Sequence, residues 1–166
     1  MMRARSLAVV LMLGLSGCGL SPMYAGGASG PVATSLSRIT VAPIPERGGW
    51  LVRTALVDRL GGEGRQATHR LEVELDDDIS GFGIRGDRST TRERRTLRAR
   101  YRLVEVATGL VVLDATAGSD AGIDVVSSPY ATVAAEQTAL ERLAKLVADQ
   151  MVARLALYAS NRPIAP

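Results

Sequence analysis

Residues 97–103 read LRARYRL, and this stretch decides the fold. Apolar or small residues occupy every second position, and arginines occupy the positions between them. Because successive side chains of a strand point to opposite faces, the pattern predicts a β-strand with one apolar and one basic face. The apolar face comprises Leu97, Ala99, Tyr101 and Leu103, and the basic face comprises Arg98, Arg100 and Arg102.

A second strand with the complementary charge pattern precedes this one. Residues 70–76 read RLEVELD, which again alternates apolar and charged positions. One face carries three aliphatic residues and the other carries three acids, Glu72, Glu74 and Asp76. If the two strands form a hairpin, these acids lie opposite the arginines, where such cross-strand pairs contribute about 0.2–1 kcal/mol each.

Two further strands are predicted on either side of this pair. Residues 36–41 (LSRITV) alternate weakly, and the prolines that follow block continuation of the strand. Thr108-Gly109 is typical of a turn, so residues 110–117 are predicted as a fourth strand.

Two helices complete the pattern. Residues 50–60 carry apolar residues at helical spacing and are followed by Gly61-Gly62, a stop signal. Ser128-Pro129 combines a capping hydroxyl with a proline at the first helical position, so a long helix is predicted over 130–158. Its buried face is predicted to contain Leu140, Leu143, Val147, Met151 and Leu155.

The element order β-α-β-β-β-α predicts an α+β fold. A sheet with one apolar face and two one-sided helices forms a two-layer sandwich, with both helices packed on one face of a four-stranded, mostly antiparallel sheet. We assign residues 36–160 to this single domain and residues 161–166 to a frayed tail.

The amino-terminal residues 1–17 have the layout of a secretory signal peptide. A basic start is followed by a short apolar run and small residues, and the run is shorter than the roughly 20 residues a membrane span needs. LSGC at 15–18 matches the lipobox of bacterial lipoproteins, so we predict cleavage before Cys18 and lipidation of its sulfur. Residues 18–35 are then the lipidated cysteine and a flexible, Gly- and Pro-containing tether.

The lipobox context predicts localisation in the outer membrane, with the domain on the periplasmic face. The residues after Cys18 are Gly19 and Leu20, with no aspartate to signal inner-membrane retention. Two of the 20 basic residues precede Cys18, so the mature chain carries a net charge of only +1. This near balance gives no reason to expect a nucleic-acid partner.

The residue inventory argues against an enzyme and against a metal or cofactor site. A single cysteine and a single histidine rule out Cys-based zinc clusters and His-rich sites. The chain contains no nucleophile-elbow motif whose serine could act with His69, so His69 is interpreted as a strand-edge residue. A lipid-anchored hydrolase that uses His69 is the least favoured alternative. Asp76-Asp77-Asp78 lacks the glycine and distal glutamate of a calcium loop and is interpreted as a solvated strand end.

A run of arginines is the strongest candidate binding feature. Eight arginines fall between Arg85 and Arg102, against two acids. Arginine suits forked binding of phosphates and carboxylates. Since three acids on the preceding strand cannot neutralise this number, a basic surplus is expected toward the loop at 80–91. Contact with an anion or partner and a self-paired, solvated face both remain open. The candidate contacts share one strand parity: Arg92, Arg94, Arg98, Arg100 and Arg102.

Phe82 is a second candidate contact. It is the only phenylalanine and lies between glycines in the predicted 80–91 loop, away from any apolar stripe. It either inserts into a partner or folds back on the core.

The ordered motifs resemble the LptE family of lipopolysaccharide-assembly lipoproteins. They are CGLSPMY at 18–24, VAPI at 41–44, RYRL at 100–103 and SPYA at 128–131. The resemblance implies a non-enzymatic protein whose partners are lipopolysaccharide and the outer-membrane β-barrel LptD. It also implies that the protein helps to assemble this barrel and to insert lipopolysaccharide into the outer leaflet. The alternative is an auxiliary lipoprotein of a lipid-transport ABC system, whose partners would be permease and shuttle components.

Overall fold

The computed structural model describes residues 30–62, 66–84 and 90–162. Within these ranges the chain forms three helices and four strands. In chain order they are α1 (Pro31–Leu36), β1 (Ile39–Val41), α2 (Glu46–Leu60), β2 (His69–Ile84), β3 (Thr90–Glu105), β4 (Val111–Asp124) and α3 (Pro129–Asn161).

The four strands form one sheet in the order β1-β2-β3-β4. β1 pairs in parallel with β2, while β2–β3 and β3–β4 are antiparallel. The register places Glu72 opposite Arg102 and Glu74 opposite Arg100, as the predicted hairpin requires. The predicted α+β fold, with helices on one face of a mostly antiparallel four-stranded sheet, is therefore confirmed, the parallel β1 making the sheet mixed.

The β2–β3 hairpin is longer than the sequence indicated. β2 continues to Ile84 and β3 begins at Thr90, so most of the segment predicted as a loop at 80–91 is strand. Ser80 pairs with Arg94 and Phe82 with Arg92 in the ladder. Backbone pairing with β3 outweighs the weak strand propensity of the two glycines in this stretch. β4 likewise extends beyond its predicted end, to Asp124.

The folded region begins earlier than predicted, with the short helix α1 in the segment assigned to the tether. Pro31 occupies the first turn, where its missing N–H costs nothing and its fixed φ suits a helix. The helix buries Ser35 and Leu36, and Leu36 joins the hydrophobic core. The first strand accordingly starts at Ile39, not at Leu36. The remainder of the predicted tether, the signal peptide and most of the predicted tail lie outside the described residues.

Helix α2 packs closely against the turn that follows β1. A Cβ atom added at Gly49 would lie 2.6 Å from the carbonyl oxygen of Ile44, so this contact requires glycine. The helix ends as predicted at Gly61, which adopts a left-handed φ of 93°. Its buried face includes Val52, Leu56 and Leu60.

Helix α3 covers the sheet and the neighbouring helix with one continuous apolar face. All five residues predicted to be buried are buried, and alanines between them allow close helix packing. Pro129 lies in the first turn as predicted, but the Ser128 hydroxyl makes no capping hydrogen bond. The backbone carbonyl of Ser128 instead accepts hydrogen bonds from the amides of Ala131 and Thr132. None of the helices within the described ranges has the length and hydropathy of a membrane span.

Candidate binding face of the sheet

The sheet face opposite the helices carries a central row of arginines. Leu97, Ala99, Tyr101 and Leu103 of β3 are buried beneath the helices, so the alternate residues project from the open face. The five arginines predicted to share this face all lie on it: Arg92, Arg94, Arg98, Arg100 and Arg102.

Acidic residues line this arginine row on both sides. β2 contributes the predicted Glu72, Glu74 and Asp76, and β4 contributes Asp114, Asp120 and Asp124. Within the described residues, this face carries six arginines, which are Arg70 of β2 and the five of β3. It carries seven acids, which are these six and Asp78. Along the described part of the face β4 supplies acids that match the arginines. The surplus expected toward the loop at 80–91 rests partly on Arg85 and Arg88, which lie outside the described residues.

Four of the five arginines are engaged in ion pairs with neighbouring strands. Three reach β4, and Arg102 reaches Glu72 and Glu74 of β2 at 3.4 and 3.7 Å. The β4 pairs are Arg92–Asp124 at 3.2 Å, Arg98–Asp120 at 2.9 Å and Arg100–Asp114 at 2.9 Å. These side chains are a third or more exposed, so the pairs are weak and each arginine can exchange its carboxylate for another anion.

The Arg100–Asp114 pair has the clearest electrostatic signature. Two guanidinium nitrogens of Arg100 contact the two carboxylate oxygens of Asp114, at 3.3 and 2.9 Å. This hydrogen bonding lowers the pKa of the Asp114 carboxyl below its ordinary value and raises the pKa of Arg100. At the centre of the face, the arginines of β3 are thus paired with acids of the two neighbouring strands, and we call this the self-paired centre.

Gly118 makes room for one of these pairs. A Cβ atom at this position would lie 2.4 Å from Cδ of Arg98 and 2.8 Å from one of its terminal nitrogens. The Arg98 side chain therefore lies flat across the β4 backbone to reach Asp120, and only glycine permits that path.

Arg94 differs from the other four arginines. Its guanidinium carbon lies 5.3 Å from the centroid of the Phe82 ring, a cation–π contact, and no acid pairs with it among the described residues. Phe82 is 39% exposed, so it neither joins the core nor is hidden by the arginine. The two predicted contact residues thus form one exposed unit near the hairpin end, beside the Arg92–Asp124 pair.

Arg95 projects from the helix-covered face and was not predicted as a site residue. It forms a two-point ion pair with Asp77, at 2.8 and 2.6 Å, and its third nitrogen donates to the Glu136 carbonyl oxygen at 3.0 Å. The Arg95 and Asp77 side chains are only 13% and 20% exposed. Asp77 is therefore not the solvated strand end that the sequence suggested; strand parity was the signal that could have separated it from Asp76 and Asp78.

The remaining titratable candidates are structural. His69 is buried at the start of β2, with Nδ1 3.0 Å from the Thr68 hydroxyl, and burial lowers its pKa despite the opposing charge of Glu105. Across residues 30–62, 66–84 and 90–162, no cluster of three His, Cys, Asp or Glu side chains is arranged to hold a metal ion. Cys18, the predicted lipidation site, lies outside the described residues.

Comparison with known proteins identifies the family. The family model "LptE: Lipopolysaccharide-assembly" matches residues 36–155, which is most of the chain and nearly all of the folded domain. No curated protein sequence matches the chain closely.

Solved structures of three lipoproteins have a similar fold. A putative lipoprotein from Caulobacter crescentus is 26% identical, with a TM-score of 0.68 over 80% of this chain and 100% of its own. The rare lipoprotein B from Shewanella oneidensis is 10% identical, with a TM-score of 0.59 over 74% of this chain and 95% of its own. A minor lipoprotein from Acinetobacter baumannii is 12% identical, with a TM-score of 0.59 over 74% and 92%. Since the family model spans β1 to α3, the chain belongs to the LptE lipopolysaccharide-assembly family.

Proposed function

We propose that this protein is a lipid-anchored outer-membrane lipoprotein on the periplasmic face that partners an LptD-like β-barrel. In this role it assists assembly of the barrel and insertion of lipopolysaccharide into the outer leaflet, without catalysing a reaction. The observation that carries the proposal is the family match over residues 36–155. The same match disfavours the alternative of an auxiliary lipoprotein for an ABC system.

The anchor in this proposal is the lipidated Cys18. Acyl chains on this cysteine would hold the domain at the membrane, since each buried methylene adds about 0.8 kcal/mol. Replacing Cys18 with serine is expected to abolish incorporation of radiolabelled palmitate and to shift the protein from the membrane to the soluble fraction. Unchanged palmitate labelling of the Cys18→Ser variant would refute the anchor.

Within the arginine row, the hairpin end is the most suitable contact for lipopolysaccharide or the barrel. Arg94 has no acidic partner among the described residues, and the adjacent Arg92–Asp124 pair has side chains that are 65% and 80% exposed. Phe82 supplies apolar and aromatic surface next to these cations. Phosphates of a glycolipid could replace Asp124 at Arg92 at little cost, since this is the most exposed of the pairs. Arg98 and Arg100 would have to leave Asp120 and Asp114 of β4, and Arg102 would have to leave two acids of β2.

The partnership is tested by purifying the full, lipidated protein from detergent-solubilised envelopes. We expect a large β-barrel to co-purify in stoichiometric amount and to be identified as LptD by mass spectrometry. Co-purification of permease components, or of no protein, would contradict the proposed partnership.

Direct lipopolysaccharide binding is tested separately with paired variants. The Arg92→Gln/Arg94→Gln variant removes two cations at the hairpin end, and Arg100→Gln/Arg102→Gln removes two cations from the self-paired centre. We expect the first variant to lose about tenfold in lipopolysaccharide affinity, because the loss of two charge-assisted contacts of a few kcal/mol is partly offset by the acids that the arginines no longer engage. We expect the second variant to lose little affinity. Equal affinity for both variants and the wild type would exclude the hairpin end as the contact.

A further inference from the structure

Strand β4 forms an exposed edge of the sheet, and one contact defines which of its backbone groups face outward. The Gly118 amide donates to the side-chain oxygen of Gln150 at 3.1 Å, and the side-chain nitrogen of Gln150 donates to the Gly118 carbonyl at 3.3 Å. Gly118 therefore directs both backbone groups away from β3. Because this orientation repeats every second residue, the amides and carbonyls of Asp120 and Gly122 also face outward.

The edge beyond Gly118 is open in the described structure. Gln150 occupies the centre of the edge in the way that an added strand would, but Asp120 and Gly122 have no such backbone partner among the described residues. A Cβ atom at Gly122 would meet nothing within 4 Å. Natural sheets usually cover, charge or interrupt such an edge, because it is a template for another strand.

A groove runs between this open edge and helix α3. Its volume is about 530 Å³, and Ala121 and Leu143 form its apolar floor. Leu146, 49% exposed, stands on the helix side of the groove. Arg142 and Lys145 line the same side, and neither takes part in the ion pairs within the described ranges. The two acids one helical turn from Lys145 pair with other residues, Glu141 with Arg47 and Asp149 with Arg59.

We propose that the outer half of the β4 edge, from Asp120 to Asp124, binds an extended segment of a partner polypeptide as a fifth strand. Main-chain hydrogen bonds to Asp120 and Gly122 would hold the segment. Every second side chain of the segment would face α3, and acidic side chains at these positions would lie beside Arg142 and Lys145. Gln150 sets the inner limit of the site, so only a short stretch of the partner pairs with β4.

The two cations favour an acidic partner segment over a second copy of this chain. Two β4 edges paired about a two-fold axis would bring both copies of Arg142 and Lys145 to the same seam, and like charges at an interface oppose association. The acid that such a copy would offer, Asp120, is already engaged with Arg98. The inference concerns this edge alone and does not depend on lipopolysaccharide binding or on the barrel partnership.

The test uses the purified full chain, labelled with nitrogen-15, and three acetylated octapeptides in which valine alternates with glutamate, threonine or lysine. We expect the glutamate peptide to bind most tightly, to shift the amide resonances of Asp120 and Gly122, and to slow their hydrogen exchange. Gly122→Pro removes the outward amide without removing a β3–β4 hydrogen bond and should weaken binding about tenfold. Gly122→Ala retains that amide and is the matched control.

Each other outcome refutes the inference. If none of the three peptides binds, or if the shifted resonances lie on the arginine face, the edge is not a strand-binding site. If Gly122→Pro and Gly122→Ala bind the glutamate peptide equally, main-chain pairing is excluded. If protection of Asp120 and Gly122 rises with protein concentration and not with peptide, the occupant is a second copy, and the proposed partner is wrong.

Discussion

The Arg95–Asp77 ion pair provides the sharpest prediction about stability. The pair joins β2 to β3, and the third nitrogen of Arg95 binds the backbone of α3 at Glu136, so one side chain connects three elements. An exposed ion pair contributes about 0–1 kcal/mol, whereas breaking a buried pair costs about 3–5 kcal/mol because the remaining charge is left unpaired. The two side chains are 13% and 20% exposed, while the Asp77 residue as a whole is exposed at the surface of the strand, so this pair lies between the two limits.

A double-mutant cycle tests this value. We expect Arg95→Leu and Asp77→Leu each to lower the free energy of unfolding by about 2–3 kcal/mol, since each leaves one poorly solvated charge. The double variant leaves neither charge and should lose only about 3 kcal/mol, which gives a coupling energy of about 2 kcal/mol. Urea denaturation followed by circular dichroism at neutral pH measures all three values.

The exposed Arg92–Asp124 pair is the control for this cycle. Its side chains are 65% and 80% exposed, so the corresponding leucine variants should show a coupling energy below about 1 kcal/mol. A coupling energy for Arg95–Asp77 as small as that of the control pair would refute the reasoning that burial makes this pair important.

Three further changes test other parts of the structure. Gly49→Ala places a Cβ atom 2.6 Å from the Ile44 carbonyl oxygen and should destabilise the fold by about 1–3 kcal/mol in urea denaturation; a loss below about 0.5 kcal/mol would contradict that contact. Gly118→Ala should displace Arg98 from Asp120, which nuclear magnetic resonance of the arginine side chains would detect as loss of the Arg98 contact, while the neighbouring Gly122→Ala should leave it unchanged. Burial lowers the pKa of His69 below 6.5, so this histidine binds its proton at a higher pH in the unfolded chain than in the folded protein. Stability should therefore decrease as pH drops from above 6.5 toward the folded pKa, and His69→Gln should reduce that slope. An identical slope in the variant would show that His69 does not contribute.

Strand parity predicted the faces of the sheet but not the partners across it. Positions 97–103 determined which residues point to the core, because alternation is a property of one strand. The neutralisation of the arginines by Asp114, Asp120 and Asp124 depends on the register between β3 and β4. Alternation gives the face of each residue and not its partner on the neighbouring strand, so it could not predict that register.

Parity also contained a signal that the sequence interpretation did not use. Arg95 has the opposite parity to Arg94 and Arg98, so it had to face the helices, and Asp77 has the opposite parity to Asp76. A charged residue on the helix-covered face of a strand requires a partner, which would have identified this pair. The short helix α1 had no comparable signal, because six residues are too few for a periodic pattern and its formation depends on burying Leu36 in the core.

The position of α3 after all four strands has a consequence for the order of folding during synthesis or export. This helix supplies eleven buried residues, the last of them Ala159, and it covers both the sheet and α2. A chain that emerges amino terminus first therefore completes β2, β3 and β4 before α3 is available to cover them. Burial of the apolar face must wait for α3, so a pause before this helix is released prolongs exposure of the sheet to aggregation and to chaperones.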